Sequence, residues 1–265
     1  ILYALIICSG YMFFVQLFKF YSLHFYTDFA HWGQVISSIA NLGKPHSIGM
    51  ELYRPGSLNY FSMHFTPLVY IIGFLYKIFP YAETIILSNN LFMISAIIPL
   101  YKLCYIKHND KPLALLICVL LLWYPSYQYI VIYEFEMLRF SIPIIFWMLY
   151  YFELKKPILY FIFVLLAIIV REEMGLTIMM FGLYIILVKK QRKIGMMTFI
   201  AGILGFYIII SQIMPSLNNS SYNNNIAMDK LYGHFGKTTG EIIKNIILNP
   251  LLTLSVILQK IKLAN

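Results

Sequence analysis

Apolar runs of helical length recur along the chain, separated by short polar or charged junctions, and this pattern predicts an all-α bundle of transmembrane helices. The runs place spans at about 1–25, 84–105, 112–132, 138–153, 157–171, 173–188 and 194–214, with a further helix starting near 246. Between the first two lies an outer loop, 26–83. Its polar part, Tyr26 to His64, carries Asp28, His31, Gln34, His46, Glu51 and Arg54 among the breakers Gly43, Pro45, Gly49, Pro55 and Gly56, too many for one helix. A short helix is expected over Asp28 to Leu42, capped by Thr27 or Asp28. The apolar piece Thr66 to Phe79 has about 14 residues, roughly 21 Å at helical rise, against a hydrocarbon layer of about 30 Å. It is expected to lie at the interface. Residues 215–245 read as a second polar loop, flexible at NNSSYNNN from Asn218 to Asn225.

Charge gives the bundle two distinct ends. With 66–79 kept at the interface, one set of junctions holds Lys102, Lys107 and Lys111, then Lys155 and Lys156, then Lys189, Lys190, Arg192 and Lys193. The other set holds Glu134, Glu136 and Arg139, then Arg171, Glu172 and Glu173. The positive-inside bias assigns the Lys-rich end to the cytoplasm, so the acidic junctions and the first loop share the outer face.

Composition excludes a water-soluble globule. Hydrophobic residues make up 60% of 265 positions and charged ones 12%, about half the usual share. The net charge of +9 does not point to nucleic acid, because the basic residues sit at the ends of apolar runs rather than on one binding face. Cys8, Cys104 and Cys118 have no metal or disulfide spacing and read as small core residues. Opening at Ile1 inside an apolar run and closing at Asn265, the chain is expected to be cut at both ends.

Candidate chemistry lies where charge interrupts apolar sequence. Arg171-Glu172-Glu173 breaks about thirty apolar residues between Ile158 and Val188, and such groups usually face a protein interior or a watery cavity. They form either a hairpin turn with an ion pair, or a site in which Arg171 binds a phosphate and a carboxylate such as Glu172 holds a metal or the arginine. Glu134 and Glu136 diverge on a helix but share a side in an extended segment, with Arg139 placed to neutralise them in a surface loop. Asp28 is either a helix cap or a general base or metal ligand at the membrane boundary. His31, His46 and His64 lack zinc spacing.

Asp28-Phe29 with Gln34, His64-Phe65-Thr66-Pro67, Tyr133-Glu134-Phe135-Glu136, Arg171-Glu172-Glu173, Gly236-Lys237-Thr238, Glu241-Ile242-Ile243 and Asn249-Pro250 occur here in one order. That order resembles the predicted membrane proteins grouped as domain of unknown function 2079, over nearly the whole chain. The pattern departs from that family at Gly33, at Glu136-Met137-Leu138 and at Arg171, where the positive charge is kept. The family is in turn similar to the membrane module of C-type glycosyltransferases, which take a sugar from a polyprenyl-phosphate donor on the outer face.

The resemblance implies a membrane glycosyltransferase-like protein acting on an extracytoplasmic acceptor, in a prokaryotic plasma membrane. Asp28 and Glu134 are then the expected catalytic carboxylates, and Arg171, His64 and Gln34 the substrate- and phosphate-binding residues. Glu172 is the expected ligand of a divalent metal, Mg or Mn. The alternative from another class is a transporter, lipid-binding or scaffold membrane protein that uses the same charges without chemistry.

Overall fold

In a computed structural model of the chain the described residues are 2–52, 56–218, 232–236 and 239–263. They are all-α, and they divide into two compact units. The larger comprises Ile1–Met50 and Leu58–Asn219; the smaller comprises Glu51–Ser57 and Ser220–Asn265.

The larger unit contains α1 (Leu2–Tyr21), α2 (Thr27–Leu42), α3 (Val69–Ile78), α4 (Ala82–Ile94), α5 (Ile97–His108), α6 (Lys111–Trp123) and α7 (Pro125–Ile132). It continues with α8 (Ser141–Glu153), α9 (Pro157–Ile168), α10 (Met174–Leu187) and α11 (Arg192–Ile208), the last prolonged by a π-turn to Ser216. Among the described residues two stretches are long and apolar enough to cross a membrane, Ala82–His108 and Arg192–Ser216, and the pair α6–α7 makes a third if its bend is crossed as one span. Helix α3 has 10 residues, about 15 Å of rise, half of a hydrocarbon layer.

Proline explains where the expected spans break. The run predicted as one helix over 84–105 divides at Ser95–Ala96, four residues ahead of Pro99, whose ring cannot pack against a straight preceding turn. The carbonyl of Met93 at this break accepts a bond from the Tyr127 hydroxyl at 2.7 Å. The run over 112–132 bends by 56° at Tyr124, held extended (ψ 120°) by Pro125. The Leu122 carbonyl left by the bend accepts from Gln128 Nε2 at 3.0 Å and from the Cys8 thiol at 3.2 Å. Cys8 and Cys118 are buried free thiols and Cys104 is half-buried.

Three apolar clusters hold the unit together. One joins α1, α4, α5, α6 and α7; another joins α8 to α11. The third packs α2, α3 and α4 beneath the 135–140 segment, with Trp32 at its centre, 4.8 Å from the Tyr60 ring and 5.5 Å from Phe135. Buried amides pair inside the bundle: Gln16 donates to the Tyr133 carbonyl at 3.0 Å and accepts from Asn90, and Asn89 donates to the Val131 carbonyl. Helices α10 and α11 approach at glycines. A Cβ on Gly182 would lie 2.4 Å from the Phe199 nitrogen, and one on Gly202 2.4 Å from that of Met179. Outward positions such as Leu165, Met180, Leu187 and Tyr207 are exposed and apolar, as a lipid-facing surface requires.

In the smaller unit, α12 (Thr239–Leu248) starts seven positions ahead of the helix expected at 246 and is followed by α13 (Pro250–Leu263), which has Pro250 at its first turn. Asn245 donates to the Phe235 carbonyl at 2.6 Å. Residues 219–231 of the polar loop expected over 215–245, with its Asn219–Asn225 stretch, and Arg54, Lys237 and Thr238 lie outside the described residues.

Candidate functional site at one end of the bundle

Charged side chains gather where α1, α7 and α9 end and α2, α8 and α10 begin. Tyr133 closes α7 in an extended conformation (ψ 173°), and the following residues alternate in direction. Glu134 turns inward, 1% exposed, and its two oxygens accept from the backbone N–H groups of Tyr26 and Phe29, both at 2.7 Å. These are free donors at the start of α2, which carries no capping side chain of its own. The cap expected from Thr27 or Asp28 is therefore supplied by a carboxylate over a hundred residues away. Its negative charge also suits the positive end of the helix dipole.

Asp28 is released from that duty. Its carboxylate is exposed and takes part in no hydrogen bond or ion pair among the described residues. It lies in the first turn of α2 on the side that, one turn later, presents Trp32 to Tyr60.

Glu136 accepts from the Leu138 amide at 3.3 Å and pairs with Arg171 Nη1 at 3.2 Å. Arg171, Glu172 and Glu173 form the α9–α10 junction, and the arginine is the centre of the cluster. Its Nε lies 3.2 Å from Glu173 and 3.8 Å from Glu172, without the alignment of a hydrogen bond. Its Nη2 lies 3.1 and 3.2 Å from the two ring nitrogens of His64. Glu172 fastens the first loop: one oxygen meets His64 Nδ1 at 2.8 Å, the other accepts from the Phe65 amide at 3.0 Å. Both bonds are satisfied when Nδ1–H donates to Glu172 and Nε2 accepts from Arg171, an assignment made from the network.

Electrostatics link these groups to Asp28. Burial pushes the Tyr60 hydroxyl well above its ordinary range; the charges of Glu136, Asp28 and Glu172 add to this and Arg171 opposes it. Burial would raise the Glu172 carboxyl, but its His64 partner, backbone hydrogen bonding and Arg171 hold it below the usual carboxylate range. Burial raises Glu173, with the neighbouring Glu172 charge assisting and Arg171 opposing. Arg139, expected in a surface loop neutralising Glu134 and Glu136, is instead 8% exposed. Its guanidinium stacks 5.5 Å from the Tyr133 ring and donates to the Tyr133 carbonyl at 3.4 Å, with no carboxylate within ion-pair distance among the described residues.

Of the residues expected to act, Asp28, His64, Glu134, Arg171 and Glu172 thus belong to this end of the bundle, whereas Gln34 stands apart. Six residues beyond Asp28, about 240° around the helix, Gln34 accepts from the Ser47 hydroxyl and the Ile48 amide, both at 2.9 Å. It lines a groove of about 720 Å³ on the outer side of α2 with Ser37, Asn41 and His46. Tyr60 was not among the expected site residues, and Glu136 was weighed beside Glu134 without being given a role. Among the described residues no group of three His, Cys, Asp or Glu side chains is placed to hold a metal ion.

The helix content, lipid-facing surface and membrane-length stretches define a helical integral membrane protein with a charged cluster at one end. A family model described as "Predicted membrane protein (DUF2079)" matches residues 21–264, and the chain belongs to that family. No curated protein and no solved structure matches it.

Proposed function

We propose that this chain is a glycosyltransferase-like membrane enzyme that moves a sugar from a polyprenyl-phosphate donor to an acceptor hydroxyl at the outer face. The observation that carries this reading is the uncommitted carboxylate of Asp28 at the end of the bundle that holds the Arg–His–Glu cluster, both acting on the Tyr60 hydroxyl, in a bundle where Glu134 has taken over the capping role. Asp28 accepts the proton of the acceptor hydroxyl as its oxygen bonds to the anomeric carbon, and the bond from that carbon to the phosphate oxygen breaks. The leaving polyprenyl phosphate is received by Arg171 through Nη2, the guanidinium nitrogen set against His64, which gives it up when the phosphate arrives. Glu136 and Glu172 hold the guanidinium in place. Glu134 acts by fixing the start of α2 and so the position of Asp28. No step is routed through a metal. Incubation of the protein with radiolabelled polyprenyl-phosphate sugars tests the reading: label leaves the lipid for an acceptor with the native chain and stays on the lipid with Asp28→Asn.

The charge balance favours a second reading. Three carboxylates and one guanidinium leave the cluster negative, and the carboxyl of Glu173 is held above its ordinary range by burial. A proton- or cation-coupled transporter would use such a group directly. In that case a pH gradient across proteoliposomes drives solute uptake that Glu173→Gln abolishes, and no lipid-linked sugar is consumed.

A further inference from the structure

The end of the bundle opposite the Arg171 cluster carries a second charged group. Helices α8 and α10 each begin near that cluster and end here, with Glu153 at the close of α8 and Lys189 just beyond α10. Lys107, in the last turn of α5, completes the set. Both lysine Nζ atoms lie 3.2 Å from the same oxygen, Glu153 Oε1. Two cations sharing one carboxylate leave a unit of positive charge and most of the ammonium protons uncommitted. Beside them opens a cavity of about 390 Å³, within the size range of small-ligand sites, walled by Leu103, Leu149 and Phe181 and edged by Tyr184. Exposed Lys155, Lys156, Lys190, Arg192 and Lys193 stand in the adjoining turns, outside the cavity lining.

We infer that this cavity is a binding site for an anionic phospholipid, whose phosphodiester lies between Lys107 and Lys189 and whose acyl chain enters along Leu103, Leu149 and Phe181. The chemistry is that of an amphiphile: a rim of excess positive charge, an apolar wall continuous with the lipid-facing surface, and a position at the end of membrane helices where headgroups lie. Basic pockets between helices on the positively biased side of membrane proteins attract anionic headgroups at about 1 kcal/mol per basic residue. The site is independent of the transferase reading, because no residue of the Asp28–Arg171 end takes part.

The test uses the full chain in detergent, delipidated and titrated with phosphatidylglycerol or phosphatidylcholine, with bound lipid counted by native mass spectrometry. Phosphatidylglycerol is expected to be retained over phosphatidylcholine. Lys107→Gln with Lys189→Gln is expected to weaken that retention about 25-fold, about fivefold for each lysine. Lys155→Gln with Lys156→Gln, in the adjoining turn, serves as the comparison and is expected to change it less than twofold. A photoactivatable phosphatidylglycerol on the native chain should label the peptides holding Lys107 and Lys189, which keeps the test valid if the double variant fails to fold. Equal retention in the Lys107/Lys189 variant, labelling spread over all helices, or displacement of the lipid by inorganic phosphate alone at comparable concentration would each overturn the inference.

Discussion

Replacing Glu134 separates a carboxylate that holds the fold from one that handles substrate. The side chain is 1% exposed and makes two 2.7 Å bonds to backbone donors. Hydrogen bonds to a charged group contribute about 1.5–3 kcal/mol each, which sets a ceiling of about 3–6 kcal/mol for the pair. The Phe29 amide is buried with its partner, but the Tyr26 end is reached by water, since Tyr26 is 71% exposed. Counting the Tyr26 bond at about half its value leaves about 2–4 kcal/mol for Glu134→Ala. Glu134→Gln keeps one acceptor but turns an NH2 group toward the second donor, so it is expected to lose about 2 kcal/mol and not to behave as a mild substitution. The buried thiols of Cys8 and Cys118 supply the assay: a thiol-reactive dye in detergent reports their release on heating. Amide exchange locates the effect, with protection falling at Phe29. An unchanged melting point and unchanged exchange at Phe29 in Glu134→Ala would refute the capping role.

Gly182→Ala and Gly202→Ala should each destabilise the bundle by about 1–3 kcal/mol, because the added carbon meets backbone atoms of the facing helix at 2.4 Å; Gly10→Ala, into open space, should be neutral in the same thermal assay. Glu172 should give stability an acid limb. Its folded-state carboxyl titrates below the usual range, so its contribution is complete above the unfolded value and is lost as pH falls through the depressed one. Glu172→Gln should flatten that limb in melts taken at successive pH values, and an unaltered limb would refute the assignment. Arg171→Lys should impair donor binding nearly as much as Arg171→Ala in a lipid-binding assay, because an ammonium cannot keep the pair with Glu136 and also face His64.

Much of the helical frame was legible because the runs over 157–171, 173–188 and 194–214 are long and apolar with no proline past their first position; α9 and α10 form within them and α11 starts two residues ahead of its run. The break at Pro125 is visible in sequence. That at Ser95–Ala96 is not read from Pro99 alone, because a proline inside an apolar run can also end in a shallow kink. The charged junctions announce themselves by their cost in lipid, which is why Arg171 and Glu172 stood out. Their partners did not: the His64–Glu172 link and the Glu134 cap on α2 join positions more than a hundred residues apart, and no local spacing encodes them. Tyr60 is one of 22 tyrosines in a chain that is 17% aromatic, so nothing local marked it. Gln34 shares a helix with Asp28, yet helical geometry sends it to the other side.

The most direct measurement compares donor binding and turnover in two variants of the purified full chain, using one lipid-linked sugar for both. Asp28→Asn should bind the donor as tightly as the native protein while transfer falls about 10²–10⁴-fold, the loss of a general base. Arg171→Ala should lose donor binding itself. Full transfer by Asp28→Asn, or undiminished donor binding by Arg171→Ala, would contradict the assignment of the two ends of the reaction to these residues.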